Sequence, residues 1–75
     1  MEGANVMNKF LDFVAEVMEV DVAEISMESQ YREGKWDSFM MLTLVMELEA
    51  EYGVSIPLES LSNVKTLGDM YEFVK

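Results

Sequence analysis

Residues 37–53, DSFMMLTLVMELEAEYG, constrain the fold of this chain more than any other stretch. Asp37 and Ser38 are residue types that open helices, because their side-chain oxygens accept from the unpaired N–H groups of the first turn. Gly53 is the type that closes one, because it tolerates a left-handed backbone. At about 100° per residue, Met41, Leu44, Val45, Leu48 and Tyr52 share one broad face, and Phe39, Leu42, Met46 and Ala50 line the opposite one. A helix apolar nearly all round asks to be buried nearly all round, and a chain of 75 residues has little material to cover both faces. The first stripe reads as core. The second is either covered by the chain's own long loop and short third helix or left for a partner. We favour the partner, with Glu47, Glu49 and Glu51 ringing the face and Met40 and Met46 supplying adaptable thioethers.

The other elements follow from the same periodicity. Val6, Phe10, Phe13, Val14 and Val17 recur at helical spacing behind Asn5, an N-cap residue type, with Lys9, Asp12, Glu16 and Glu19 on the other side. This predicts helix I over about 5–19. A long connection, 20–36, carries Val22, Ile25 and Tyr31 as expected anchors, with a helical turn near Val22, and loops of this length tend to be functional or mobile. Helix II spans about 37–52. Pro57 opens a short helix III at about 57–62, and Thr66 with Asp69 resembles a capping box at the head of helix IV, about 66–74, whose Leu67, Met70, Tyr71 and Val74 share a face. No strand pattern, repeat or linker interrupts the chain. The expectation is one all-α domain over 1–75: three longer helices, one short third helix and a long first loop.

Composition removes most chemistry. With no cysteine and no histidine, the usual zinc sites and the usual nucleophile–base pairs have no members, and no disulfide framework exists. Five basic against fifteen acidic residues give a net charge of −10, which disfavours nucleic acid and anionic membranes and favours basic protein partners. The longest near-apolar run, FMMLTLVM, falls far short of the roughly 20 residues that span a bilayer, and a cytoplasmic monomer is expected. An acidic, methionine-rich calcium sensor is suggested by composition only and is discounted, since EISMESQYREGK lacks the alternating oxygen ligands of a calcium loop.

Ser38 is the residue these exclusions leave. Read blandly, it is a helix cap or first-turn residue beside Asp37. As a nucleophile it has no histidine base, so it is acted upon rather than acting. A helix start suits a phosphate, because free N–H groups and the positive end of the macrodipole face it. Asp37 opposes a phosphate by like charge, and its role is therefore capping or engaging the enzyme that installs the group.

At these residues the chain resembles the acyl carrier proteins, over nearly its whole length. Asp37-Ser38-Phe39 stands where the family has Asp-Ser-Leu, and LVMELEAEYGVSIP (Leu44–Pro57) is similar to the family's leucine- and glutamate-rich helix and the Ile-Pro that follows it. VDVAEI and Tyr31 occupy the places of the family's valine, isoleucine and loop aromatic, and NVKTLGDMYEFV resembles its last helix.

The resemblance implies a four-helix bundle that is not an enzyme, with a 4′-phosphopantetheine arm, derived from coenzyme A, on Ser38. It implies as partners a phosphopantetheinyl transferase, an acyl- or aminoacyl-loading ligase, and synthases or transferases with basic and apolar docking surfaces. Acyl intermediates of fatty acid, polyketide or related biosynthesis would ride on the arm as thioesters. The expected docking residues are Asp37, Phe39, Leu42, Met46, Glu47 and Glu49, with no metal site. Three departures stand out. Phe39 replaces leucine, Met40 and Thr43 stand where fatty acid carriers have acids, and YREGKWDSF replaces a Leu-Gly-rich loop. The WDS stretch looks more like a stand-alone member of a specialised pathway, with partner binding less dependent on charge. The alternatives are an aminoacyl or D-alanyl carrier, or an unmodified adaptor gripping a partner through the Phe39, Leu42 and Met46 face.

Overall fold

A computed structural model describes residues 2–75 of the chain. Its α-helices are α1 (Glu2–Met18), α2 (Ser38–Tyr52) and α3 (Leu67–Tyr71), and 3-10 turns form at Val22–Glu24 and Leu58–Asn63. The architecture is all-α, with a short helix preceding the last one as expected. Among the described residues no helix is long and apolar enough to cross a membrane.

The boundaries show where local signals suffice. Asp37 is the N-cap of α2, its carboxylate accepting from Met40 N at 2.8 Å, and Gly53 closes the helix at φ 66°, ψ 35° with its N–H donating to Glu49 O. Thr66 and Asp69 form the reciprocal capping box of α3. By contrast, α1 begins at Glu2, so Asn5 lies inside it and is not its cap. Nothing in residues 2–5 forbids a helix, there being no proline, and the capped start expected at Asn5 is bypassed. The last helix is shorter than the expected 66–74. After Tyr71 the chain continues in tighter turns, Phe73 N donating to Met70 O at 3.1 Å and Val74 N to Tyr71 O at 3.0 Å.

The core gathers Phe10, Val14 and Met18 of α1, Met41, Leu44, Val45 and Leu48 of α2, Ile56 and Val64 of the connection, Leu67 and Met70 of α3, and Trp36. Edge-on aromatic pairs lock the helices together: Phe10 meets Tyr71 at 5.2 Å between centroids, and Phe13 meets Tyr52 at 6.4 Å. Two expected apolar positions stay outside. Val6 is exposed, as are residues 7–9, the bundle first covering the described stretch from Val6 onward at Phe10, and Val22, expected as an anchor, is exposed on its single 3-10 turn, leaving Ile25 and Tyr31 to hold the connection.

That connection is not a free loop. Tyr31 N donates to Lys65 O at 2.8 Å, Leu67 N to Ser29 O at 3.0 Å and Gly68 N to Met27 O at 2.8 Å. Residues 27–31 thus run alongside the entry to α3, with Gln30 and Thr66 paired as an isolated antiparallel bridge. The buried backbone of a long connection needs partners, and here the segment preceding α3 supplies them.

Candidate functional site

The start of α2 is placed by the turn before it. Residues 32–36 reverse the chain, with Arg32 N donating to Trp36 O at 2.6 Å and Trp36 N to Glu33 O at 3.0 Å. Positive φ at Arg32 (80°) and Gly34 (57°) makes the turn sharp. Trp36 drops into the core with its ring edge-on to Tyr31, centroids 5.6 Å apart. Anchored by this side chain, the next residues emerge: Asp37, Ser38 and Phe39 are all exposed.

The first N–H groups of a helix lack partners within it. Here Asp37 satisfies one, its carboxylate accepting from Met40 N, and its carbonyl accepts the first regular helical bond, from Met41 N at 2.8 Å. The N–H groups of Ser38 and Phe39 have no acceptor among the described residues. An exposed hydroxyl, two spare N–H groups and a first turn free of acids form a donor set suited to a phosphodiester. The like charge of Asp37 is set against this, and its carboxylate is committed to the cap.

Beyond Ser38 the helix divides as its two stripes suggest. Met41, Leu44, Val45 and Leu48 are buried and Tyr52 half-buried, whereas Phe39 is 79% exposed, Leu42 51% and Met46 69%. The chain covers the second stripe with neither its long connection nor the 3-10 turn. That turn instead extends it, contributing Leu58, itself 67% exposed, to a shallow apolar groove with Leu42, Val45, Met46, Glu49 and Ile56. No charged residue occurs from Ser38 to Met46.

Of the acids expected at this face, Glu47 is exposed at its edge. Glu49 is half-buried and has a structural duty, its Oε2 accepting from Ile56 N at 2.7 Å and so clamping the chain after Gly53 back onto α2. Sequence reasoning missed two residues. Leu58 follows Pro57 in a segment too short to show a face, and Trp36 enters the sequence argument only within a departure from a family pattern, although the largest apolar side chain in a polar turn is itself a burial signal.

Comparison with known proteins bears on this arrangement. The family model described as "Phosphopantetheine attachment site" matches residues 8–74. The chain is 35% identical over 68 residues to the acyl carrier proteins of Rickettsia typhi and Rickettsia prowazekii, an alignment covering 89% of this chain and 79% of each relative. That of Rickettsia canadensis is 34% identical over the same coverage. The chain belongs to the acyl carrier protein family, whose members are carriers rather than catalysts and hold a covalent 4′-phosphopantetheine prosthetic group.

Proposed function

We propose that Ser38 bears the 4′-phosphopantetheine arm and that the chain carries acyl intermediates between partner enzymes. The observation carrying this reading is the exposed Ser38 hydroxyl at a helix start whose Ser38 and Phe39 N–H groups are spare. When attached, the arm supplies the thiol that this cysteine-free chain lacks, on which acyl groups are held as thioesters. The chain's own residues do the positioning. Asp37 fixes where α2 begins, Trp36 pins the preceding turn in the core, and the helix start offers its N–H groups to the phosphate.

The partner face in this reading comprises Phe39, Leu42, Met46 and Leu58, with Asp37, Glu47 and, secondarily, Glu49 at its rim. Its partners are the transferase that modifies Ser38, a loading ligase, and the synthases or transferases that use the cargo. Because residues 38–46 carry no charge, the centre of each contact is apolar, and the acids beyond Met46 meet basic groups at its edge.

Incubation with coenzyme A, Mg²⁺ and a promiscuous phosphopantetheinyl transferase is expected to add one phosphopantetheine to the intact mass, and Ser38→Ala to abolish the addition. A folded protein that repeatedly stays unmodified defeats the reading. In cells, loss of function in Met46→Glu but not in Ser38→Ala would favour an unmodified adaptor.

A further inference from the structure

Eight residues of the chain are methionine, and among the described ones the surroundings differ widely. Met18, Met41 and Met70 are sealed in the core, and Met27 and Met40 are half-buried. Met7 is 37% exposed on α1, whereas Met46 is 69% exposed on α2. A helix covers its own backbone, so exposure of this extent belongs to the side chain, whose outer end is the thioether. The chain has no cysteine, and among the described residues Met46 is the sulfur-bearing side chain most open to an oxidant.

The setting of Met46 gives that exposure a consequence. It lines the apolar groove with Leu42, Val45, Ile56 and Leu58, whose aliphatic side chains peroxide leaves alone. Glu49, the polar side chain in the same lining, is an acceptor already engaged by Ile56 N. Oxidation of a methionine turns a flexible apolar side chain into a polar one, with a new oxygen that accepts hydrogen bonds. In this groove the oxygen meets no side-chain donor and depends on water. A partner that covers the groove with an apolar surface strips that water, and an acceptor buried without a partner destabilises the contact. In the free protein the same oxygen stays hydrated and the fold is undisturbed.

We propose that Met46 is a reversible oxidation site that governs docking at this face. The oxidant is hydrogen peroxide. A sulfur lone pair attacks one peroxide oxygen, the O–O bond breaks, and the departing hydroxide takes up the proton of the transferred oxygen to leave as water. Sulfur is thereby oxidised to the sulfoxide and the peroxide reduced. Methionine sulfoxide reductases, one for each sulfoxide epimer, return the thioether. The inference rests on the reading of the partner face given above. Before Ser38 carries an arm, the chain has no thiol of its own to intercept the peroxide, so the step controlled is the modification of Ser38 itself.

The test treats the unmodified chain with hydrogen peroxide until intact mass shows a gain of one oxygen, and peptide mapping places it. The oxygen is expected on Met46 ahead of Met7 and Met40. KM for the chain in coenzyme A-dependent modification should then rise about tenfold, the effect of burying one unpaired acceptor, while kcat and the melting temperature hold. Reductases of both epimer specificities should restore KM. In Met46→Leu, whatever its starting KM, peroxide should change nothing, and Met7→Leu should keep the full response. A first oxygen on another methionine, a KM unmoved by sulfoxide at Met46, a rise accompanied by a lower melting temperature, or an equal rise in peroxide-treated Met46→Leu overturns the proposal. Phe39→Ala separates this failure from failure of the face: if that variant raises KM and the sulfoxide does not, the face stands and the switch falls, and if neither raises it, both fall. An untreated chain that gains no phosphopantetheine overturns the role of Ser38 instead.

Discussion

Gly68 rests against the backbone of Met27: its N–H donates to Met27 O at 2.8 Å, and a Cβ added to it would stand 3.1 Å from that same oxygen. The oxygen is backbone and is fixed by the bond, so it has little room to retreat. In an open helix, replacing glycine by alanine gains about 1 kcal/mol. Here Gly68→Ala is expected to lower the melting temperature instead, and Gly68→Val to lower it further. A melting temperature raised by alanine would show that this approach is not tight.

Asp37 is placed to matter for folding before it matters for any partner. Loss of an N-cap costs about 1 kcal/mol, and for a domain of this size that corresponds to a fall of roughly 4–8 °C in melting temperature. Asp37→Ala is expected to show that loss and Asp37→Asn much less of it, as read by chemical denaturation. Equal losses in the two variants would mean that charge, not capping, is what the position supplies.

The face opposite the core predicts a separation of stability from use. Phe39→Ala and Met46→Glu alter exposed side chains, and surface changes of this kind usually shift stability within about 0.5 kcal/mol. Both variants should melt close to the parent while slowing modification by the transferase, mainly through KM. Because the middle of the face is uncharged, KM for the parent is expected to rise only modestly with salt. A steep rise would place the contact on the acids instead.

Asp69 gives the fold an acid limit. The backbone N–H bond from Lys65 is the largest influence on its carboxyl; burial opposes it, and the Thr66 N–H, the Thr66 hydroxyl and the nearby Lys65 charge add to it, so that the group stays below the ordinary aspartate value. A group with a lowered folded-state pKa contributes its stability above the unfolded value, about 3.9, and loses it as pH falls through the folded one. Stability measured by denaturant should therefore decline below about pH 4. Asp69→Asn should be less stable at neutral pH and lose less on acidification. An unchanged acid limb would assign the decline to other carboxylates.

What was legible in the chain was whatever a few neighbouring residues decide. Asp37 and Gly53 bracket α2 because capping and closure are local backbone chemistry, and Thr66 with Asp69 marks α3 for the same reason. The two stripes of α2 were legible because burial of Met41, Leu44, Val45 and Leu48 follows from their angular spacing. Periodicity says which side chains share a face but not what stands opposite, which is why Val6 lies outside the core it is expected to join, and an apolar residue in a connection, as Val22 is, carries no facing information at all. The pairing of residues 27–31 with 65–68 joins segments distant in sequence through backbone atoms that every residue carries, so no side-chain pattern announced it. Trp36 was hidden by its setting, since a turn containing Arg32, Glu33, Gly34 and Lys35 reads as solvent-exposed until tertiary contact draws one member inside.

Leu58–Asn63 is, with Val22–Glu24, a weak course in the wall. It buries none of its own residues and relies on the tight, poorly aligned bonds of a 3-10 turn, as from Ser60 N to Pro57 O. Amide exchange is expected to be quicker there than in α1 or α2. An enzyme that leaned on Leu58 would thus press on a panel with hinges, while α2, bracketed by Asp37 and Gly53, stays square.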